Sequence, residues 1–514
     1  MEEGIFTISP QPIESKQILF ILITILSFIT LIILHLIKAG NKALYLFFIT
    51  YPFLSQSVHY LNLSSAFFVL TPPLLFLLIH FVLSKGRVLS KTLFLLFIFC
   101  LSILISVIAA ENPYTAFAFF ILGVGSFTLL AYLVYIQLVN SRNPIGVFRG
   151  LVLSVLAGSI IYLAIEFVVF RIRLEHIPFI LMRRWELLPM GRFITGGYRE
   201  PAGLGFVYSL LFFILVYFIQ SKTIKFGIKD KTVNILSFVF LIGMILIVGT
   251  RSAIFNLINI FLVLFVLSKI MGSTRSTRIK TRYIIVLGGL AVLGFYFLLP
   301  RTILTSRSST PPSWIEPTYI QIFGKTYQVV GSTSDYIKHT QNSLVDIAMN
   351  PLGSGPLNAT PITESEQGGF ASGYYYSIIS NLIVIGATFG WLTLAIWIIF
   401  LSYISIELYN LRRRAKNRDY FLLSLILLTT IIASILPGSP FLGPGLNWGN
   451  FNRLDPINQS ITGLPAEYVS LLSGLIIGAL AGFLHLIRIG AHQGDGIIEN
   501  DMRRVEGISV SKIS

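Results

Sequence analysis

Hydrophobic residues along this chain come in long unbroken blocks rather than in stripes on one face of a helix. A block of about 20 apolar residues matches the hydrocarbon thickness of a bilayer. The blocks predict membrane spans at residues 17–37, 43–61, 66–84, 92–110, 114–138, 148–170, 202–220, 231–249, 252–270, 282–300, 376–408, 419–437 and 466–488. The second is the weakest, because Pro52 and His59 interrupt it, and the eleventh is long enough to bend at Gly386 and Gly390. We therefore predict an all-α, polytopic membrane protein with about 12–13 transmembrane helices.

The composition excludes an ordinary soluble domain. Hydrophobic residues make up 54% of the 514 positions and charged residues 12%, whereas a soluble protein carries roughly 25% charge. The net charge of +16 is a feature that proteins binding nucleic acid also show. Most Lys and Arg residues lie in short loops between apolar blocks, however, where they set membrane orientation, so we expect no nucleic-acid partner. The single cysteine, Cys100, excludes an internal disulfide and a cysteine metal cage.

The basic loops predict which side faces the cytoplasm. The loops that carry most of the Lys and Arg residues fall on one side of the alternating spans. By the positive-inside rule, this side faces the cytoplasm. The long loops, near 171–200, 301–375 and 439–466, then lie outside. Four parts follow: transmembrane helices 1–10 in residues 1–300 with an extracytoplasmic arginine-rich loop at 171–201, a large extracytoplasmic (periplasmic) loop at 301–375, the C-terminal transmembrane helices at 376–488, and a cytoplasmic tail at 489–514.

The large loop is expected to contain short helices. One is predicted from Ser334 to Met349, and Asn350-Pro351 would end it. The glycines of the PLGSGP turn that follows are expected to let the backbone approach a ligand closely.

Several arginines lie on the predicted outer side, where the positive-inside rule disfavours them, and Arg192, Arg199 and Arg251 are the candidates for binding a diphosphate. A guanidinium group presents a fork of donors that fits phosphate, so a lipid diphosphate is the natural ligand. Arg199 precedes Pro201, which can open a helix whose amides and dipole add anion affinity. Arg251 stands between two spans with almost no loop. The alternatives are contacts with anionic lipid headgroups, a pair between Arg199 and Glu200, and an outward-snorkelling Arg251.

Candidate catalytic and glycan-binding residues lie in the same outer regions. For Glu200, three interpretations stay open: a general base, a group that orients the substrate, or an ion-pair partner of Arg199. For His339, two stay open: a general base or a solvent-exposed loop histidine. Tyr374 and Tyr375 precede a span, where they could stack on sugars or anchor at the interface. Glu166 lies inside a span, which makes it a functional candidate. No motif indicates a metal site, and no cofactor is expected.

Three segments resemble the superfamily of O-antigen ligases and O-antigen polymerases of bacterial envelopes. The segments are GYREPAGLGFVYSLLFFIL, GTRSAIFNL, and NSLVDIAMNPLGSGPLN followed by YYYSIISNLIVIGATFGWL. They resemble, in order, a proline-containing stretch that opens a helix, a serine/threonine-arginine-small motif at a helix start, and a loop helix ending in Asn-Pro-Leu-x-Gly-x-Gly before a helix with a glycine pair. The resemblance covers roughly residues 190–410.

The resemblance implies a glycosyltransferase of the bacterial inner membrane whose active site faces the periplasm or cell exterior. Its donor would be a polyprenyl-diphosphate-linked glycan (undecaprenyl diphosphate in bacteria), and its acceptor a glycan or lipid A-core. Arg199 and Arg251 would hold the diphosphate without a metal, and membrane lipid and a chain-length regulator are further expected partners.

One departure favours a polymerase of O-antigen or exopolysaccharide over a ligase. Ligases of the family usually carry a His-Asn pair before the helix after the large loop, whereas residues 369–374 here contain no histidine. The general base therefore stays open among Glu200, His339, Glu364 and Glu366. A ligase that moves the glycan to lipid A-core is the first alternative. A transporter or flippase of lipid-linked glycan is the second, although the internal repeats common in transporters are not found in the sequence.

Overall fold

A computed structural model describes the chain at residues 26, 29, 30, 32, 33, 40–61, 67–83, 89–110, 113, 116, 117, 120–169, 201–221, 227–248, 251–271, 318–322, 325–329, 344, 345, 347–353, 381–415, 417–433, 435 and 466–492. The helices in these ranges are α1 Gly40–Leu61, α2 Phe67–Leu83, α3 Lys91–Val107, α4 Ser126–Val139 (entered through a π-helical turn, Phe120–Gly125), α5 Pro144–Val169, α6 Pro201–Gln220, α7 Ile228–Val248, α8 Arg251–Met271, α9 Asn381–Leu411, α10 Arg418–Ala433 and α11 Ala466–His492.

The helices coincide with the apolar blocks of the sequence. Each of the helices α1 to α11 lies on one predicted span, and most boundaries agree within a few residues. Five described residues in the block 17–37 are helical, and the block 282–300 lies outside the described residues. Within the described residues, three helical stretches are long and apolar enough to cross a membrane, namely Pro144–Ala164, Ile385–Leu411 and Leu472–Gly490. The chain is therefore a helical protein with the features of membrane association.

Local sequence signals explain where several helices begin. The Ser90 hydroxyl accepts a hydrogen bond from the Leu93 amide at 3.2 Å and caps α3. The Asn143 side chain does the same for Gly146 at 3.0 Å, just before Pro144 opens α5. The Asn417 side chain caps α10 through the Asp419 amide at 3.0 Å. These caps satisfy amides that the helix itself leaves without partners.

Small residues allow a close and extensive contact between α4 and α11. Gly474 and Gly478 lie one turn apart on α11 and face the backbone of α4. A Cβ atom on Gly474 would lie 2.8 Å from the Phe127 carbonyl oxygen, and one on Gly478 would overlap the Ala131 carbonyl oxygen. Close backbone approach through small residues is a typical way for helices to associate in a membrane, where the hydrophobic effect does not drive them together.

The described part of the 301–375 loop contains a β-hairpin, which the prediction of short helices did not include. Strand β1, Thr318–Ile322, pairs antiparallel with β2, Lys325–Val329. The signal was present in the sequence, because TYIQI and KTYQV are rich in β-branched and aromatic residues and are separated by two residues. The end of the predicted loop helix is confirmed: residues 347–349 are helical and a turn begins at Asn350-Pro351.

Candidate functional site

Charged side chains tie several helices together at one end of the bundle, which we name the basic end. Arg149 at the start of α5 bonds the Asp230 carboxylate at 3.0 Å and the Asn234 side chain at 2.7 Å, both on the first turns of α7. The Tyr217 hydroxyl near the end of α6 donates to Asp419 at the start of α10. Arg488 near the end of α11 pairs with Glu407 near the end of α9. These contacts join the ends of α5 and α7, of α6 and α10, and of α9 and α11. Because α7 packs against α6, and α10 packs against α6, α9 and α11, the three joined ends lie on the same side of the bundle.

The opposite end is therefore the end at which α6, α8 and α9 begin. Helices α6 and α8 pack against each other, with α7 running antiparallel to α6 between them in the chain. The side chains of Ser209 on α6 and Asn256 on α8 are buried and hydrogen-bonded to each other. Ser209 lies eight residues after Pro201, and Asn256 five after Arg251. The first residues of the two helices thus lie at the same end of the bundle.

The predicted helix starts at this end are confirmed, whereas most of the predicted site residues cannot be located. Pro201 opens α6 and Arg251 opens α8, as the motifs indicated. Six predicted site residues lie outside the described residues, namely Arg192, Arg199, Glu200, His339, Tyr374 and Tyr375. The side chains of Arg251 and Glu166 lie outside them as well. The structure therefore gives the positions of the two helix starts, and the diphosphate site itself stays a prediction.

Sequence reasoning missed the buried polar residues behind these helix starts. Ser209, Asn256 and Asn259 are all buried, and the two asparagines are three residues apart on α8. The signal was the presence of amide side chains in an apolar span, where a polar group needs a partner within the protein. The hydrogen bond between Ser209 and Asn256 joins α6 to α8.

A short segment of the 301–375 loop docks on α9 at this end of the bundle. The docked segment comprises residues 344, 345 and 347–353. The Trp391 amide donates to the Pro351 carbonyl at 2.9 Å, and the Trp391 indole N–H donates to the Ile347 carbonyl. The helix is broken at Gly390, where φ is 82° and ψ is 178°. Because a break removes helical hydrogen bonds, the Pro351 carbonyl supplies a partner that the helix no longer provides.

Two glycines allow this contact. Gly353 has φ 78°, and a Cβ atom there would overlap the Thr388 carbonyl oxygen on α9. A Cβ atom on Gly390 would overlap the Pro351 carbonyl oxygen in turn. The predicted break at Gly390 is confirmed. Gly386 stays helical, and a Cβ atom there would meet the Ile347 side chain at 3.0 Å. The backbone of Gly353, the first glycine of the PLGSGP turn, packs against α9. The close approach of this turn to a ligand stays a prediction.

The charges of the described helices differ between the two ends. Among the Lys and Arg residues in the described helices and the turns that join them, Arg251 alone lies at the opposite end, and the basic end carries Lys42, Lys91, Arg142, Arg149, Lys229, Lys231, Lys269, Arg412, Arg413, Arg414, Arg418 and Arg488. The amino termini of α6 and α8 direct their positive dipole ends toward the opposite end. An anion at that end would meet two helix starts and the residue Arg251 together.

Within the described ranges, His, Cys, Asp and Glu residues do not gather in groups of three that could hold a metal ion. No protein-family model, no characterised protein and no solved structure matches this chain.

Proposed function

We propose that this chain is a multi-pass membrane glycosyltransferase that polymerises polyprenyl-diphosphate-linked oligosaccharide repeat units at the opposite end of the bundle. The observation that supports the proposal is that the described parts of the three family-like segments lie at the same end of the bundle. The helix starts at Pro201 and Arg251 and the contact between the docked segment and Gly390 all lie at this end. The three segments are separated widely in sequence, and the fold brings the described parts of them to the same end of the bundle.

The proposed sidedness follows from the basic end. Cytoplasmic ends of membrane helices collect Lys and Arg residues, and here such residues cluster beside the ends of α9 and α11. The basic end then faces the cytoplasm of the bacterial inner membrane. The opposite end faces the periplasm or the cell exterior, which is where a lipid-linked glycan awaiting polymerisation would be met.

The proposed chemistry is a direct displacement at a sugar. A hydroxyl oxygen of the acceptor glycan forms a bond to the anomeric carbon of the donor, and the bond from this carbon to the diphosphate oxygen breaks. The electron pair leaves with the polyprenyl diphosphate, and the hydroxyl proton passes to a base. Fixed cations in a partly dry site stabilise the charge that develops on the diphosphate.

Each predicted residue has a role in this proposal. Arg192, Arg199 and Arg251 bind the diphosphate, and the amino termini of α6 and α8 add to its stabilisation. Glu200 or His339 accepts the proton. Tyr374 and Tyr375 stack on the sugar rings. A chain-length regulator in the same membrane is the proposed protein partner.

The absence of a histidine in residues 369–374 favours the polymerase over the ligase alternative. The two differ only in the acceptor, so a deletion strain separates them. Lipid A-core capped by a single repeat indicates a polymerase, whereas uncapped core with polymer left on its lipid carrier indicates a ligase.

The direct test uses purified protein in proteoliposomes with a lipid-linked oligosaccharide and measures the length of the products. We expect longer products from the wild type and their loss in the double variant Arg199→Ala/Arg251→Ala. The matched control is Lys269→Ala, which removes a cation at the basic end. Conversion of substrate by neither wild type nor control would contradict the function, and full activity of the double variant would contradict the site.

A further inference from the structure

Apolar side chains of the docked segment point away from the protein. Leu344, Val345, Met349 and Leu352 are each more than half exposed, and Met349 reaches 75%. Ile347, between them, faces α9 at Gly386 instead. The segment thus presents one side to the helix and an apolar side outward. In water, such a concentration of exposed apolar side chains would be unfavourable.

The segment contacts α9 within the part of the helix that can cross a membrane. That part begins at Ile385, and the contacts of the segment are with Gly386, Gly390 and Trp391. Trp391 lies about 9 Å along the helix from Ile385 at 1.5 Å per residue. A segment bonded to Trp391 therefore lies alongside the first turns of the span and not above them.

The exposed apolar side of the segment continues onto the exposed face of α9. Trp391 and Leu392 are each about half exposed, and Ile398 and Ile399 follow two turns later with similar exposure. On a membrane-crossing helix, such residues face acyl chains. Because the segment and this face adjoin at Trp391, one continuous apolar surface runs from Met349 to Ile399.

The hydrogen bonds of the segment suit an apolar surrounding. Irregular backbone is tolerated at membrane depth only where its polar groups are satisfied by protein. The Pro351 carbonyl accepts from the Trp391 amide, the Ile347 carbonyl accepts from the Trp391 indole, and the Asn350 carbonyl accepts from the Gly353 amide at 2.9 Å. Three carbonyls of the turn and its short helix are thereby paired.

We propose that the docked segment is a membrane-embedded wedge whose apolar side chains contact the acyl chains of bilayer lipid at the opposite end of the bundle. The bilayer is the occupant because the exposed side of the segment is continuous with the lipid-facing surface of α9. The wedge also covers the break at Gly390 from the lipid side. This inference concerns lipid contact alone and does not depend on the proposed glycosyl transfer.

The first experiment measures depth by fluorescence quenching. In a Cys100→Ala background, Met349→Cys and Leu352→Cys are labelled with an NBD fluorophore, and the protein is reconstituted with phosphatidylcholine doxyl-labelled at acyl carbon 5 or 12. Ile399→Cys, in the middle of the span, serves as the lipid-facing control, and Arg142→Cys, in an exposed turn at the basic end, as the water-facing control.

We expect the Met349 and Leu352 probes to be quenched by the 5-doxyl lipid at least twofold more than the Arg142 probe, and Ile399 to be quenched most by the 12-doxyl lipid. Quenching of the Met349 and Leu352 probes by aqueous iodide with no response to doxyl lipid would overturn the proposal. Intermolecular disulfides at Met349→Cys in the membrane, with loss of doxyl quenching, would also overturn it by assigning the surface to a second copy of the chain.

A second experiment uses the unsubstituted protein and so does not depend on how the variants fold. A phosphatidylcholine with a diazirine on its acyl chain is photolysed in the proteoliposomes, and the adducts are mapped by mass spectrometry. We expect adducts within residues 344–352 as well as at Ile398 and Ile399. Adducts on α9 with none in the docked segment would overturn the proposal.

Discussion

The two ends of the helical bundle are held together by different kinds of contact. At the basic end, the described links between helices use charged side chains: Arg149 with Asp230, and Arg488 with Glu407. At the opposite end, the described links use uncharged groups. Ser209 bonds Asn256 there, and backbone atoms of the docked segment meet the backbone of α9 at Gly390.

The two ends differ in the kind of residue that joins their helices. Two arginines at the basic end, Arg149 and Arg488, hold helices together through ion pairs with Asp230 and Glu407. Helix packing at the opposite end is achieved in the described ranges by glycine, serine and asparagine. Arg251 begins α8 at that end, where the proposed function assigns it to the diphosphate.

Gly390→Ala should have the largest effect, because it breaks the backbone contact at the opposite end. A φ of 82° with ψ of 178° is a region that glycine alone adopts readily. The added methyl group would also overlap the Pro351 carbonyl oxygen. We expect a loss of about 3 kcal/mol or more, or no folded protein, in thermal unfolding monitored in detergent. Gly243→Ala is the control, since a Cβ atom there meets nothing within 4 Å. Equal stability of the two variants would mean that the contact between the docked segment and Gly390 does not stabilise the fold.

Arg488→Met tests the strongest link of the basic end. The Glu407 side chain is only 10% exposed, so losing its partner leaves a largely buried carboxylate unpaired. We expect a loss of about 2 kcal/mol in the same unfolding measurement, less than for a fully buried pair because Arg488 is partly exposed. The double variant Arg488→Met/Glu407→Leu should recover much of it. Arg413→Met, an exposed arginine at the same end, is the control. No difference from this control would mean that charge does not hold the basic end.

Asn256→Leu tests the side-chain link of the opposite end. Hydrogen bonds between membrane helices contribute about 1 kcal/mol, and the substitution also leaves Ser209 without this partner. We expect a loss of about that size in the unfolding free energy. Ser268→Ala on the same helix is the control, since its hydroxyl bonds only the Phe265 carbonyl of its own helix in the described contacts. A loss larger than that of Arg488→Met would reverse the comparison between the ends.

Asp230→Asn should have the smallest effect. The Asp230 side chain is 50% exposed, so solvent screens its pair with Arg149. We expect a loss below about 1 kcal/mol that shrinks further at high salt. Unfolding curves at low and high ionic strength measure both quantities. A salt-independent loss as large as that of Arg488→Met would show that the exposed pair is not screened.

Much of the fold could be predicted from the sequence because membrane spans are local features. Hydropathy alone located α5 and α11, and single residues such as Pro201 and Gly390 marked a helix start and a helix break. Each of these signals depends only on neighbouring residues. A bilayer imposes such a strong requirement on a spanning segment that the rest of the fold hardly changes it.

Contacts between helices could not be predicted, because they depend on which helices are neighbours. Glu407 and Arg488 lie 81 residues apart in the chain, and nothing local pairs them. For the same reason the Asn256 amide could not be assigned to Ser209. Gly353 packs on α9, a contact that the sequence did not indicate. Its positive φ follows from the turn, but the identity of its neighbour does not.

In the proposed function, the opposite end of the bundle binds a lipid diphosphate through Arg251 and its neighbours. Equilibrium binding of a polyprenyl diphosphate to the purified protein tests it most directly, with Arg251→Ala compared with Lys269→Ala at the basic end. A charge-assisted hydrogen bond contributes about 1.5–3 kcal/mol, so the account predicts at least a tenfold weaker affinity for Arg251→Ala. The affinity of Lys269→Ala should remain that of the wild type. Equal affinities for Arg251→Ala and the wild type, or a loss in Lys269→Ala instead, would contradict the account.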